Sequence, residues 1–439
     1  MSQSAAALAP VVFNDLGSKL NQLTDAEVLQ IAALLERGGN DPKALKGLAI
    51  LRPRLQLLRP RRRLDARRVF CMPFEMLLSD EQQPTDPIRR ISRAAILPTW
   101  AMVSARLSAD VLDGAEASAA AARTVKDQDL QRAAALLWAE AADIIGAEFD
   151  ALAAKVGEPQ WLRDIGGALR AHRGIALVRD LLRCGGLPNP PERQAKELAD
   201  LIHNAVEQGE DSGFVTALIA AAHFKSPGTL IGALLDNKVG TVAGPAQAVV
   251  KRLCDAIGGD LGREVAELQG CNDSADPAAL VAGLDSLATS LKALQNFAEK
   301  ARDRELRLKV EQALLAARAA TVDEVLPTMH RSAGMNLDRA VSDALSGESF
   351  VAAQAVEDNM AALRQARPGA EALGVAPAVD KAVADLMATV RAKAAEPMEG
   401  ESDDDRAARM MALARYVELL EGPDAAQASL DGWLAMKAA

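Results

Sequence analysis

Arginine side chains crowd one stretch of this sequence, and their chemistry is the first guide to what the chain does. Between residues 50 and 110 there are twelve arginines, no lysine and six acidic residues, a net charge of +6 in a chain whose formal charge is −10. The planar guanidinium makes paired hydrogen bonds to carboxylates and phosphates and tolerates partial burial. Segment 52–93 is therefore predicted to bind an acidic partner or another polyanion. Its candidate contact residues are Arg59, Arg61, Arg62, Arg63, Arg67, Arg68, Arg89, Arg90 and Arg93.

Four interpretations of segment 52–93 are open. The arginines can pair with carboxylates of the same chain, dock an acidic protein, bind nucleic acid or phosphate, or lie against an anionic membrane surface. The overall acidity of the chain opposes general nucleic-acid binding, and only Phe70 and Phe74 lie close by to stack on bases. Among the binding interpretations, these observations favour a protein partner, with internal pairing as the structural alternative.

Other residues that commonly carry chemistry are few and poorly spaced. The four histidines, His172, His203, His223 and His330, show neither an HExxH pattern nor a cysteine at ligand spacing, so no zinc site is predicted. The sequence contains no GxxxxGK[ST] phosphate loop, no GxGxxG after a strand and no GxSxG. We predict no catalytic residue, no metal ligand and no cofactor. A helical enzyme whose site is assembled from scattered side chains is the alternative.

The cysteines and the start of the chain bear on its compartment. The first residues lack a basic region followed by an apolar stretch, and the longest apolar run, near Phe214–Phe224, is too short to span a bilayer. We therefore expect a cytoplasmic protein without membrane insertion. Its cysteines form no CxxC pair and are expected to be reduced thiols, mostly buried as small apolar side chains. They are Cys71, Cys184, Cys254 and Cys271.

The alanine content predicts the secondary structure that positions these side chains. It fills 89 of the 439 positions, whereas aromatic residues make up 3 % of the chain. Alanine is the best helix former, and large sheets need more aromatic and β-branched residues. The predicted fold is all-α, either a multi-helix bundle or an irregular α-solenoid, with short helices in the arginine- and proline-rich N-terminal region. The alanine and arginine bias is also typical of a bacterial protein.

Capping residues and glycines predict where several helices begin and end. Asp276 followed by Pro277 is typical of an N-cap and the first helical residue, and Glu158-Pro159 is a weaker pattern of the same kind. The alanine-rich run that starts near Asp127 is expected to close at Gly157. Another helix is expected to end at Gly258-Gly259.

A long helix is predicted near 276–320. Its apolar residues step by three and four, and the same register then meets polar residues, so the stripe is expected to shift or break near Arg302–Glu305. The pattern fits either an ordinary bundle helix or the seam of a homodimeric coiled coil. The residues of the stripe are Leu284, Leu287, Leu291, Leu294, Ala298 and Ala301.

Proline and acidic residues divide the chain. The stretch 185–193 contains three prolines, and the stretch 394–406 combines a proline, a glycine and six acids. We predict an N-terminal helical domain at 1–185, a helical domain at 193–394, an acidic linker at 395–405 and a helical tail at 406–439. The expected function is that of a non-enzymatic interaction or scaffold protein, with a nucleic-acid-associated regulator as the alternative. The sequence leaves the oligomeric state open.

Overall fold

The chain is helical almost throughout the part described by the computed structural model, so the predicted all-α, multi-helix class is confirmed. The described residues are 25–37, 47–48, 51, 55, 64–84, 86–122, 127–182, 190, 192–272, 275–346, 351–396 and 402–435. Within these ranges the β structure is one short parallel pair, in which Leu78–Ser79 (β1) lies beside Ile91–Ser92 (β2).

Short elements make up the N-terminal region, as its proline content predicts. A 3-10 turn follows a six-residue helix directly, and Pro73 is its second residue, because a proline is tolerated at a helix start and not in its interior. The elements in order are α1 (Asp25–Arg37), α2 (Ala66–Cys71), a 3-10 turn (Met72–Leu77), β1, β2, a second 3-10 turn (Arg93–Ala95), α3 (Ile96–Ser104) and α4 (Ala109–Ala121).

Longer helices follow in the alanine-rich remainder. The central ones are α5 (Gln128–Ala147), α6 (Phe149–Val156), α7 (Pro159–Arg170), α8 (His172–Leu181), α9 (Glu192–Glu207), α10 (Glu210–Ala221), α11 (Gly228–Asp236) and α12 (Pro245–Gln269). The C-terminal ones are α13 (Pro277–Ala301), α14 (Arg304–Ala320), a π-helical turn (Thr321–Val325), α15 (Leu326–Ser346), α16 (Val351–Gln365), α17 (Arg367–Leu373), α18 (Ala376–Ala395), α19 (Asp403–Glu421) and α20 (Pro423–Ala435).

Most of the predicted helix ends are confirmed. The side chain of Asp276 accepts a hydrogen bond from the backbone N–H of Ala278 at 3.1 Å, and Pro277 is the first helical residue of α13. Glu158 caps α7 in the same way, and Gly157 ends α6 with a φ of 82°, a conformation that glycine adopts at little cost. The run from Asp127 to Val156 is two helices, because the backbone departs from helical geometry at Glu148.

The predicted helix end at Gly258-Gly259 is wrong. Helix α12 runs through both glycines and ends at Gly270. A Cβ on Gly258 would lie 3.6 Å from Leu306 of α14, so this position faces a neighbouring helix. The buried stripe of α12 continues past the glycine pair to Leu268, and packing therefore outweighs the helix-breaking tendency of glycine.

The long helix predicted near 276–320 is two helices. Arg302 adopts a left-handed conformation with a φ of 55°, and Asp303 caps α14 by accepting from the N–H of Leu306 at 3.0 Å. The break falls inside the polar stretch expected to interrupt the stripe. Every leucine of the stripe up to Leu294 is buried in the core of this chain, as expected for a bundle helix. Beyond the break the register shifts, and Leu308 and Leu315 are exposed.

One apolar core joins most of the described helices. Its buried residues extend from Ala66 in α2 to Trp433 in α20, and a small separate cluster is formed around Val28 and Leu51. Helices on the two sides of 185–193 pack on each other, for instance α10 on α7. The division at that point stays a prediction. Among the described helices, none is long and apolar enough to cross a bilayer.

The first residue and the last three residues of the acidic linker predicted at 395–405 are helical, since α18 ends at Ala395 and α19 begins at Asp403. Ser402 caps α19 by accepting a hydrogen bond from the N–H of Asp405 at 3.1 Å, so residues 403–405 form the first helical turn. Negative charge is favourable there because the N-terminus of a helix carries partial positive charge. Residues 397–401 of the predicted linker lie outside the described part.

Candidate functional site: the arginine-rich segment

The structure divides the nine candidate arginines into three sets. Arg59, Arg61, Arg62 and Arg63 lie outside the described residues. Arg67 and Arg68 lie on α2, and both are exposed. Arg89, Arg90 and Arg93 lie close to β2, where Arg89 and Arg93 are exposed and Arg90 is half-buried.

Helix α2 turns its two arginines outward because its other side is anchored in the core. Asp65 caps the helix by accepting from the N–H of Arg68 at 2.7 Å. Phe70 is buried, with ring centroids 5.4 Å from Phe74 and 5.3 Å from Trp100. Trp138 of α5 donates its indole N–H to the carbonyl oxygen of Val69 at 2.8 Å. The short helix is therefore held by ring packing and a buried hydrogen bond rather than by its own length.

Arg179 of α8 holds the 3-10 turn that follows α2. Its Nη1 and Nη2 donate to the carbonyl oxygens of Met72 and Pro73 at 2.8 and 3.1 Å. Burial lowers the pKa of this guanidinium, and Glu75 opposes that effect. A partly buried cation thus forms two charge-assisted hydrogen bonds to carbonyls of this turn.

A side-chain turn and the β1–β2 pair position the arginines around β2. The carboxylate of Asp86 accepts from the N–H groups of Ile88 and Arg89 at 2.7 and 3.1 Å, which fixes the loop just before β2. The β pair then brings Asp80 beside Arg93, whose Nε lies 2.7 Å from Oδ1 of Asp80.

Arg90 points into the protein and pairs with a buried acid. Its Nε lies 2.9 Å from Oδ2 of Asp164 in α7. Gln160 donates to the other oxygen, Oδ1, at 2.8 Å. Burial raises the pKa of Asp164 from 3.8 to about 6, and the charge of Arg90 opposes the rise. Arg90 is therefore paired with a carboxylate of the same chain, which is the structural alternative given above for this segment.

The ring of Phe214 lies close to two guanidinium groups. The Cζ of Arg90 is 5.2 Å from the ring centroid, and the Cζ of Arg252 from α12 is 4.3 Å from it. Arg252 is neutralised in turn by Glu210 and Asp211, whose carboxylates accept from its Nη1 at 3.1 and 3.0 Å. Cations this close to a ring are attracted to its electron-rich face. Three separate parts of the chain therefore meet at one aromatic side chain.

A cleft of about 800 Å³ includes Arg90 in its lining, together with Gln82, Gln83 and Trp161. Two acids also line the cleft, and the carboxylate of each accepts hydrogen bonds from backbone N–H groups. Asp86 does so in the loop before β2, and Glu158 does so as the N-cap of α7. The cleft is therefore mixed in charge and does not extend the exposed basic surface.

Arg67 of α2 and Arg93 of the turn after β2 both affect the Cys71 thiol. Burial, with a smaller contribution from Glu75, raises the pKa of Cys71 to about 12, and the positive charges of Arg67 and Arg93 both oppose the rise. Two arginines that are 26 positions apart in the sequence thus act on the same thiol. Arg67 and Arg93 are both exposed, whereas Arg90 is half-buried.

Asp164, Phe214 and Arg252 are the partners of Arg90 that sequence reasoning missed. The signal for Asp164 is present in the sequence, since it is the acid within Trp161–Leu169, a stretch otherwise apolar or glycine except for one arginine. An acid in such a stretch is buried only with a partner. Phe214 and Arg252 carry no comparable signal.

In the described part of the chain, the buried thiol of Cys254 is unreactive and no metal-binding cluster is present. Burial raises the pKa of Cys254, so this thiol stays protonated and is a poor nucleophile. Cys254 is buried and Cys71 and Cys271 are half-buried, while Cys184 lies outside the described part. Among the residues that the structure describes, no three His, Cys, Asp or Glu side chains are grouped so that they could hold a metal ion.

Comparison with protein-family models, with curated proteins and with solved structures found no match to this chain. What can be said about its function therefore comes from the side chains described above.

Proposed function

We propose that this chain is a non-enzymatic helical interaction protein that binds an acidic protein partner through the arginines of segment 52–93. One observation carries the proposal. Arg67, Arg68 and Arg89 are exposed, and none of them forms an ion pair with another described residue. In a chain with ten more acidic than basic residues, these cations are left for something outside the described part of the chain.

The way these side chains are held also supports the proposal. Arg67 and Arg68 project from a helix whose opposite side is fixed by Phe70 and by the hydrogen bond from Trp138. A rigid base lowers the entropy lost when a partner binds. Arginine is also enriched among the residues that carry most of the energy of protein interfaces.

Arg93 is available to a partner although it is paired. Its counter-ion, Asp80, has a side chain that is 91 % exposed. Exposed ion pairs of this kind stabilise a protein by about 0 to 1 kcal/mol. A carboxylate of the partner can therefore replace Asp80 at little cost. Arg90, by contrast, is assigned a structural role in this proposal.

The finer parts of the proposal follow the sequence. The protein is expected to act in the cytoplasm of a bacterium, and Arg59, Arg61, Arg62 and Arg63, which lie outside the described residues, are expected to contact the same partner. A partner that matches this surface presents several aspartate or glutamate side chains, because bidentate arginine–carboxylate pairing supplies both affinity and orientation.

The test compares two triple variants with the same change in charge. Arg67→Glu/Arg68→Glu/Arg89→Glu alters the proposed surface, and Arg173→Glu/Arg304→Glu/Arg307→Glu alters three exposed arginines elsewhere. Wild type and both variants are used for affinity capture with quantitative mass spectrometry, after circular dichroism has shown that each is folded. We expect acidic proteins that are captured by the wild type and the control variant and are lost with the first variant.

Two results would count against the proposal. In one, captured proteins are retained equally by all three chains, or are lost equally with both variants. In the other, a DNA duplex binds instead, with an affinity that falls by orders of magnitude between about 50 and 200 mM salt. That second result, if abolished by the first variant alone, would assign the arginines to nucleic acid.

A further inference from the structure

A second cleft, of about 700 Å³, opens between α11, α13 and α17 and is formed by elements other than the arginine-rich segment. Its volume is in the range of sites that bind small molecules, about 300 to 1,000 Å³. The loop after α10 contributes Lys225, and α13 contributes Asp285.

The walls of this cleft are fixed by unusually close contacts. A Cβ on Gly228 would lie 2.5 Å from the Cα of Ser290, so α11 and α13 touch backbone to backbone. Ser226 donates its hydroxyl to the carbonyl oxygen of Ser286 at 3.0 Å, which ties the loop to α13. A Cβ on Gly369 would lie 2.5 Å from Oδ1 of Asp285, so α17 also approaches closely. The cleft is therefore preformed.

Two side chains of opposite charge, Lys225 and Asp285, line the cleft without forming an ion pair. Burial raises the pKa of Asp285, and the N–H of Gly369 and the positive charge of Lys225 oppose the rise. Lys225 is thus near enough to act on the carboxylate, yet no ion pair within 4.0 Å joins the two side chains in the described structure. Neither side chain forms an ion pair with another described residue, and Lys225 is exposed.

Neutral polar groups accompany the two charges. The side chains of Thr229, Thr289 and Gln365 line the cleft and make no hydrogen bond with any other residue that the structure describes. Val281 and Pro368 add apolar surface. Groups that both donate and accept hydrogen bonds, beside a small apolar wall, match a peptide backbone with small side chains.

We propose that this cleft binds a short peptide, or a peptide-like molecule, that has a free amine and a free carboxylate. The amine pairs with Asp285, the carboxylate pairs with Lys225, and the amide groups between them bond to Thr289 and Gln365. A simple anion is repelled by Asp285 and a simple cation is repelled by Lys225, so only a molecule with both charges satisfies the site. The volume suits a peptide of about two or three residues.

The experiment is calorimetric titration of the full chain with the tripeptide Ala-Ala-Ala. The same peptide acetylated at its N-terminus, and the same peptide amidated at its C-terminus, are the ligand controls. The variants are Asp285→Asn, which keeps an acceptor for the N–H of Gly369, Lys225→Gln, and Ala282→Trp, which fills the cleft. Lys292→Gln, an exposed position on the same helix, is the matched control.

We expect Ala-Ala-Ala to bind the wild type and the Lys292→Gln variant with equal affinity. Each blocked peptide and each charge variant should lose about tenfold or more, because a hydrogen-bonded charge is left without its partner. The acetylated peptide should be insensitive to Asp285→Asn, and the amidated peptide to Lys225→Gln. Ala282→Trp should abolish binding.

Three results would overturn the proposal: no saturable heat up to about 1 mM peptide, equal affinity for blocked and free peptides, or binding that survives Ala282→Trp. A variant that is misfolded by circular dichroism is replaced by its ligand control, since the blocked peptides test each charge on the unaltered protein. None of these results bears on the arginine surface, which the capture experiment tests separately.

Discussion

The Nε of Arg90 lies 2.9 Å from Oδ2 of Asp164, with the two side chains 24 % and 0 % exposed. This pair joins the loop before β2 to α7 and separates Arg90 in role from its neighbour Arg89, which faces solvent. A buried charge is tolerated only while its partner is present. The consequences of losing Arg90 and of losing Arg89 should therefore differ sharply.

Replacing Arg90 with Met should destabilise the fold by about 3 kcal/mol, because Asp164 is then buried without its counter-ion. Urea unfolding followed by circular dichroism measures the change. Arg89→Met is the matched control and should change stability by less than about 0.5 kcal/mol. The double variant Arg90→Met/Asp164→Leu should recover most of the loss, since an apolar pair replaces an ion pair. Equal stability of the two single variants would contradict the structural role of Arg90.

Glu264 should make the fold less stable as the pH rises. Burial, and then the nearby carboxylates of Asp260 and Glu267, raise its pKa from 4.5 to about 7, and Arg263 opposes the rise. The folded chain therefore holds this proton more tightly than the unfolded chain. The stabilisation is present below pH 4.5 and is lost as the pH rises to about 7.

The Glu264→Gln variant should remove this pH dependence. It is expected to match the wild type near pH 4.5 and to be the more stable protein above pH 7. Free energies of unfolding measured in urea across this pH range test the sign. Glu311→Gln, at an exposed position, should track the wild type. A Glu264→Gln variant whose stability runs parallel to that of the wild type would refute the raised pKa.

Two glycines of α11 should respond in opposite directions to a single added methyl group. Gly228→Ala places a Cβ 2.5 Å from the Cα of Ser290, and should cost about 1 to 3 kcal/mol or more because backbone cannot move aside. Gly232→Ala meets nothing within 4 Å and should stabilise the helix by about 0.5 to 1 kcal/mol. Thermal and urea unfolding of the two variants measure the change in stability that each substitution causes. Similar effects of the two substitutions would show that α11 and α13 are not in close contact.

Arg179→Met should loosen the turn after α2 without unfolding the protein. The turn loses two hydrogen bonds from a charged donor to the carbonyls of Met72 and Pro73, at an expected cost of about 2 kcal/mol. Hydrogen exchange read out by mass spectrometry should rise in peptides covering residues 72–79. Arg173→Met, at an exposed position of the same helix, is the control. If hydrogen exchange in that segment is unchanged, Arg179 does not stabilise the turn.

Local features of the fold were readable from the sequence because their causes are local. Asp276 and Pro277 start α13 through contacts within three residues, and the break after Ala301 coincides with the polar interruption of the apolar stripe. The all-helical class follows in the same way from the abundance of alanine.

The features that sequence reasoning missed depend on partners far along the chain. Asp164 follows Arg90 by 74 positions, and no spacing rule relates them. Gly258 has the sequence context of a helix end, and only the approach of Leu306 explains why the helix continues. The sequence also does not determine which arginines are exposed. Arg89 and Arg90 are adjacent, and only Arg90 has a buried carboxylate within reach in the folded chain.

The contacts of Phe214 also limit the order in which this part of the structure can form during synthesis. Arg90 emerges about 160 residues before Arg252, and synthesis at about 5 to 20 residues per second separates the two by on the order of 10 to 30 s. Phe214 follows Arg90 by 124 residues, so the loop before β2 lacks this aromatic contact for most of the interval, and the ring lacks its second cation until Arg252 is made. The loop that contains Arg90 is therefore made early, and its contacts around Phe214 are complete only after more than half of the polypeptide has been synthesised.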